Sequence, residues 1–251
     1  MRRRVLLAAT ALPMVLALGC SQMPGYPKNG PPIPPDQVVD FHTLYNSNCQ
    51  ACHGANGESG PAIDLANPEY QALVDDATLR KVISTGMPGT EMPAWAQSAG
   101  GMLTDRQIDA IVAGMRREWA KPNAFGSATP PPYAQPGGGS AQHGEQVYRA
   151  LCASCHQKPG RQQLTSPVYL SLVSDQALRS IIVAGRPDIH QPDWRLMVHP
   201  EEPGQLVALD MPAASAKPLS SQDVTDIVAY LHSLRNPTAV SAAPTPVTPR
   251  R

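Results

Sequence analysis

The chain has 251 residues, with 20 basic and 20 acidic side chains and a formal net charge of zero. No basic surplus is available to neutralise phosphates, so nucleic acid is excluded as a partner. The 28 prolines, 19 glycines and only two phenylalanines describe small domains joined by linkers, with cores short of aromatic area unless a further apolar group is buried in them.

In chain order, Arg2-Arg3-Arg4 precede an apolar run over residues 5–18 that ends at Gly19-Cys20. This reads as a signal peptide over 1–19, too short for a typical spanning helix. Leu16-Ala17-Leu18-Gly19-Cys20 resembles a bacterial lipobox, which implies lipidation of Cys20 and anchoring to a membrane on the periplasmic side. A proline-rich leash over 20–35 follows, able to hold the next domain roughly 45 Å from the surface. The first domain is expected over 36–121, with 11 acidic and 6 basic side chains. A linker over 122–139 contains Pro130-Pro131-Pro132 and Gly137-Gly138-Gly139, and a second domain covers 140–237 with 9 acidic and 8 basic side chains. The Pro- and Ala-rich tail, 238–251, reads as disordered.

The two domains repeat one another. A shift of 99 residues lays Pro68, Tyr70, Leu73, Val74, Asp76, Leu79, Arg80, Ile83, Gly86, Pro88, Pro93 and Trp95 on identical residues from Pro167 to Trp194. The cysteine motifs align at a shift of 103 and the last helices at 116, so the second copy carries 17 extra residues ahead of its last helix. Each copy reads as helical: one helix before the cysteine motif, a middle helix over 76–84 or 175–183, and a last helix over 105–119 or 222–234. Thr104 and Gln107 have the spacing of a capping box. No segment alternates with period two, so the expected fold class is all-α.

Five cysteines divide without remainder into Cys20 and two Cys-x-x-Cys-His runs, Cys49-Gln50-Ala51-Cys52-His53 and Cys152-Ala153-Ser154-Cys155-His156. In such a run opening a helical turn, two thiols can add to the vinyl groups of a haem while the next imidazole reaches its iron from the same side. A thioredoxin-like pair needs a βαβ context, and a zinc site needs two further ligands at matched spacing; neither is present. The expectation is two covalent haem c groups, held by Cys49, Cys52, Cys152 and Cys155, with His53 and His156 on iron.

With these motifs, a Met-Pro in the loop before the last helix and the helices that flank them, both domains resemble class I cytochromes c. That resemblance implies two tandem cytochrome c-like domains, each with its first and last helices crossing, a glycine on one against an aromatic on the other. Copy two has Gly144 and Tyr230; copy one has the reverse, Phe41 and Gly114. The resemblance also implies Met92 as the sixth ligand in copy one, with Met87 as the alternative. In copy two Met92 falls on Gln191 and Glu91 on His190. Met211, followed by Pro212-Ala213, is the preferred ligand there and His190 the alternative, ahead of Met197, His199 or an open site. His42, His143 and His232 are expected to lie on the surface.

The function that follows is single-electron transfer without substrate chemistry, in a respiratory chain. Partners would be redox proteins: a quinol-oxidising complex or dehydrogenase on one side and a terminal oxidase or other acceptor on the other. The unusual second site motivates the alternatives, a di-haem enzyme of peroxidase or thiosulfate-oxidising type, or a gas-binding module.

Overall fold

The computed structural model describes residues 32–134, 138–158, 163–197 and 218–235. The expected signal peptide, Cys20, His199, Met211 and the tail lie outside the described residues. The chain divides into a short unit ending at Val38 and a larger one, Val39–Arg251, that contains both repeats. The short unit shows one 3-10 turn, Pro35–Gln37, closed by Gln37 N–H on the Pro34 carbonyl at 2.9 Å. No helix among the described residues is long and apolar enough to cross a membrane.

The larger unit is all-α. Its helices are α1 (Phe41–Asn48), α2 (Gln50–His53), α3 (Pro68–Leu73), α4 (Asp76–Thr85) and α5 (Asp105–Trp119) in the first repeat. The second has α6 (Ala141–Leu151), α7 (Ala153–His156), α8 (Pro167–Leu172), α9 (Asp175–Ala184) and α10 (Ser221–Ser233). Extended pairing in which both partners are described is limited to isolated bridges, Ala96 with Leu103 and Arg186 with Gln191. The short α3 and α8 start at a proline, whose fixed φ and missing N–H suit the first helical turn. Asn67 caps α3 through its side-chain oxygen, which accepts from Glu69 N and Tyr70 N.

The last helices carry matching ends. Thr104 and Gln107 form the expected capping box at α5, and Ser220 with Asp223 forms one at α10. An arginine on α5, and one just past the end of α10, then tie down the short helix of their repeat. Arg116 donates to the carbonyls of Gln71 and Val74 and pairs with Asp76. Arg235 donates to Leu170 O at 2.9 Å and Val173 O at 2.6 Å and pairs with Asp175. The three acceptors correspond at the 99-residue shift, although the arginines sit one helical turn apart in the alignment of the last helices. Otherwise unpaired helix-end carbonyls are thereby satisfied in both repeats.

At the crossing of α1 with α5, a Cβ on Gly114 would stand 2.2 Å from two ring carbons of Phe41, so the glycine is the hollow that takes the ring. Trp119 closes the same crossing edge-on to Phe41 and Tyr45, at 5.4 and 5.1 Å between ring centroids. The crossing of α6 with α10 differs from the expected glycine-on-tyrosine contact. A Cβ on Gly144 would stand 1.9 Å from the Asp226 carbonyl oxygen, so the glycine meets helix backbone, while Tyr230 packs one turn away on Tyr148 at 5.5 Å. Asp226 fastens this crossing: its carboxylate accepts from Ser140 N at 2.7 Å, His143 Nδ1 at 2.7 Å and Gln222 Nε2 at 2.8 Å.

The repeats pack on each other through α3 and α9. Asn67 Nδ2 donates to the carbonyls of Ala184 and Gly185, both at 3.1 Å. Arg186 donates to Ala62 O at 3.1 Å and pairs with the nearly buried Asp188, which accepts from Ser59 N. Arg195 reaches Glu69 at 3.1 Å. The linker takes part as well. Phe125 is 7 % exposed inside the second repeat's core, with the Arg195 guanidinium 5.4 Å from its ring centroid. Pro132 O accepts from Arg179 and Tyr133 O from Gln176. Both phenylalanines of the chain are therefore buried, one at each repeat.

Candidate functional site

The two Cys-x-x-Cys-His segments have the same local build. Cys49 ends α1 and starts α2, with Cys52 N and His53 N donating to its carbonyl at 3.2 and 3.0 Å. Cys152 does so for Cys155 N and His156 N at 3.2 and 3.0 Å. The four described cysteines form no disulfide. Burial, and after it the neighbouring cysteine, pushes the free Cys49 thiol up to about 11 and the free Cys152 thiol up to about 12.

His53 Nδ1 donates to the Ile63 carbonyl at 2.9 Å, which leaves Nε2 as the lone-pair nitrogen. Burial, the dominant cause, lowers the pKa of this histidine despite the Ile63 bond and keeps the ring neutral. Ile63 acts through its carbonyl, a role without a side-chain signal in sequence.

The loops after α4 and α9 return the chain to these histidines. Gly86 and Gly185 end the two helices at φ +67° and +72°. A Cβ on either would lie within 3 Å of the backbone folding back, so only glycine fits. In copy one, Met87 N donates to Met92 O at 3.0 Å, and Thr90 Oγ1 braces the turn by donating to Met87 O and accepting from Met92 N. Met92 is half-buried and Met87 also half-buried. In copy two, Arg186 N donates to Gln191 O and Gln191 N to Arg186 O, both at 2.9 Å. These bonds join the positions that correspond to Met87 and Met92 at the 99-residue shift.

Among the described residues, Gln191 reaches the second histidine: its Oε1 accepts from His156 Nε2 at 3.0 Å. His190 has φ 61° and ψ 31° and is exposed. Met197 is 7 % exposed within the hydrophobic core of the second repeat. His42, His143 and His232 are exposed, and each faces a carboxylate: Glu118, Asp226 and Asp175. The residues flanking the insertion meet as their counterparts do in copy one. Leu219 N donates to Trp194 O at 3.3 Å, matching Leu103 N on Trp95 O at 2.8 Å in copy one.

The residues present fit a haem. The Trp194 Nε1–H and the Tyr148 hydroxyl are buried with no hydrogen-bond partner among the described residues. A buried unpaired donor costs about 1–3 kcal/mol, a cost that an acidic haem substituent removes. In copy one the tyrosine equivalent to Tyr148, Tyr45, donates to Gly54 O at 2.9 Å.

Comparison with known proteins agrees with this geometry. The family model described as cytochrome c oxidase, cbb3-type, subunit III matches residues 36–113 and again 139–231. The chain is also similar to the dihydro-heme d1 dehydrogenase of Pseudomonas aeruginosa, 43 % identical over 72 residues. That match covers 28 % of this chain and 13 % of the relative's length. No solved structure matches the chain. Matched in two stretches that together exceed half of its length, each containing one Cys-x-x-Cys-His helix, the chain belongs to this cytochrome c family, whose domains bind haem c covalently.

Proposed function

We propose that the protein is a di-haem c-type cytochrome that carries single electrons at the periplasmic face of a bacterial membrane, held there by lipid on Cys20. The observation that carries this reading is the duplication of the attachment turn, with matching backbone bonds to Cys49 and Cys152. Cys49, Cys52 and His53 would hold one haem, with Met92 as its further iron ligand. Cys152, Cys155 and His156 would hold the other.

Bound haem supplies a reversible one-electron iron couple. The chain's part is to hold that couple steady. The Ile63 carbonyl orients the His53 ring, and burial keeps it neutral for ligation. The Thr90 hydroxyl stiffens the loop that carries Met92. A His and Met pair raises the potential relative to two histidines, which suits acceptance from a quinol-oxidising complex or a dehydrogenase and delivery to a terminal oxidase. The name of the Pseudomonas aeruginosa relative, a dehydrogenase, is the reason to keep an enzymatic role for the second haem as the alternative.

The test is the mass and redox titration of the membrane fraction of cells expressing the full chain. Two haem additions per chain, two one-electron waves, and release of the protein to the soluble fraction by Cys20→Ser are expected. One addition, or a catalytic current with peroxide or thiosulfate, would overturn the carrier reading.

A further inference from the structure

The segment that follows His53 is fastened twice, once by its own repeat and once by the other. Within its own repeat, Ala62 N donates to Cys52 O at 2.9 Å, and the Ile63 carbonyl accepts from His53 Nδ1 at 2.9 Å. The second repeat meets the same segment at Ser59, Ala62 and Asn67. Asp188 Oδ2 accepts from Ser59 N at 3.3 Å, Arg186 Nη1 donates to Ala62 O at 3.1 Å, and Asn67 Nδ2 donates to the carbonyls of Ala184 and Gly185. The Arg186 guanidinium is buried, and Asp188 fixes its plane, taking Nε on Oδ1 at 2.9 Å and Nη2 on Oδ2 at 2.7 Å. That fork leaves Nη1 aimed at Ala62. Ser59 stands at φ 62°, a left-handed conformation that a non-glycine residue keeps only with support around it. The converse clamp lacks the side chains to make it, because Met87 and Gly89 stand where Arg186 and Asp188 do at the 99-residue shift.

We propose that Arg186 is a positioning residue for His53, acting through Ala62 and Ile63, so that the first haem site is complete only with the second repeat docked on it. The proposal rests on the reading of His53 as an iron ligand. A carbonyl that accepts from Nδ1–H fixes the orientation of the imidazole and makes its other nitrogen a stronger donor. The Ile63 carbonyl can do this only while its own segment is held, and the Ala62 carbonyl gripped by Arg186 is one peptide away. A bond from a charged donor resists the turning of that segment more than a neutral one does. The other ion pair between the repeats, Arg195 with Glu69, reaches α3 and not this segment. The two cross-repeat arginines therefore have separate tasks, one holding the repeats together and one holding a ligand's support.

The experiment uses the full-length, haem-loaded protein, its haem content read by mass. Hydrogen exchange of the His53 Nδ1–H is followed by NMR in the reduced form, and both midpoint potentials are titrated. Removing Arg186 alone leaves Asp188 buried without its partner, so the test variant combines Arg186→Met with Asp188→Asn. Exchange at His53 should quicken about tenfold, the loss of one charge-assisted hydrogen bond. One midpoint potential should rise, as the imidazole becomes a weaker donor, while the other stays. Arg195→Gln should move neither readout. Exchange or potentials unchanged in the double variant overturn the proposal, and so does an equal effect of Arg195→Gln, which would mean general loosening of the contact. Where the double variant loads no haem, Arg186→Lys takes its place: the charge is kept, but one ammonium cannot hold Asp188 and Ala62 in the same fixed plane. Quickened exchange is expected there too, and unchanged exchange overturns the proposal. A mass showing one haem, or no haem-shifted Nδ1–H for His53, overturns the ligand reading and the proposal together. Two haems with the His53 exchange unmoved overturns the proposal alone.

Discussion

The two repeats cross their terminal helices with bulk on opposite sides, and what each glycine touches differs in kind. Gly114 on α5 receives the Phe41 ring, a side chain that can rotate or be cut away. Gly144 on α6 rests on the peptide of Asp226 and Ile227, which belongs to the hydrogen-bonded backbone of α10. Both glycines let the crossing helices approach closely, but only Gly114 has a neighbour able to yield. The loops differ in a parallel way. Copy one closes its loop over a short return to α5, and copy two places a glutamine opposite its histidine and inserts 17 residues before α10.

The sharpest way to break this comparison is at the glycines. Gly144→Ala should destabilise the second repeat by about 3 kcal/mol and Gly114→Ala the first by about 2 kcal/mol, read as shifts in thermal unfolding of the haem-loaded protein. Phe41→Ala combined with Gly114→Ala should cost less than the sum by about 1–3 kcal/mol. Tyr230→Ala should give Gly144→Ala no such relief. If it does, the side-chain pairing expected from sequence is right and the backbone contact is wrong.

A smaller effect separates the repeats by pH. Asp64 is buried at the contact between them and corresponds to Gln163 in copy two. Burial and then the Asp188 charge push its carboxyl up to about 6, against the opposing pull of Arg186 and the Asn67 N–H. The folded protein therefore holds this proton at pH values where the unfolded chain has released it. Stability falls as pH rises from about 4 to about 6. Asp64→Asn should remove on the order of 2 kcal/mol of that fall, measured as urea midpoints across the window. An unchanged slope in the variant would show that Asp64 does not titrate in the fold.

The smallest expected effect tests where the repeats agree. Thr104→Ala and Ser220→Ala each remove one capping box and should each cost about 1 kcal/mol. Unequal losses in thermal unfolding would mean that α5 and α10 are not equivalent helices.

Much of the fold is legible in local pattern. The 99-residue register returns as the Met87–Met92 and Arg186–Gln191 bonds, the middle helices end within one residue of the expected 84 and 183, and Thr104 caps with Gln107 as its spacing says. Phe41 finds Gly114 because a large and a small residue at a helix crossing carry their own complementarity. What sequence hides is carried by backbone or by distance. Ile63 serves His53 through a carbonyl that every residue has, and Gly144 meets a peptide rather than the side chain of Tyr230. Asn67 and Arg186 join segments more than 100 residues apart, for which no local periodicity speaks. Gln191 departs visibly from Met92 in sequence, but its aim at His156 emerges only once α7 and the loop after α9 are folded together.

Phe125 changes what counts as the second repeat. By composition the stretch 122–139 is a tether, and an excision at Ser140 would look harmless. Yet burying a phenylalanine is worth about 2 kcal/mol, and the carbonyls of Pro132 and Tyr133 receive Arg179 and Gln176 from α9. A fragment meant to stand alone as the second repeat has to begin upstream of Phe125, and a protease that cuts between Phe125 and Ser140 severs a core residue from its own core.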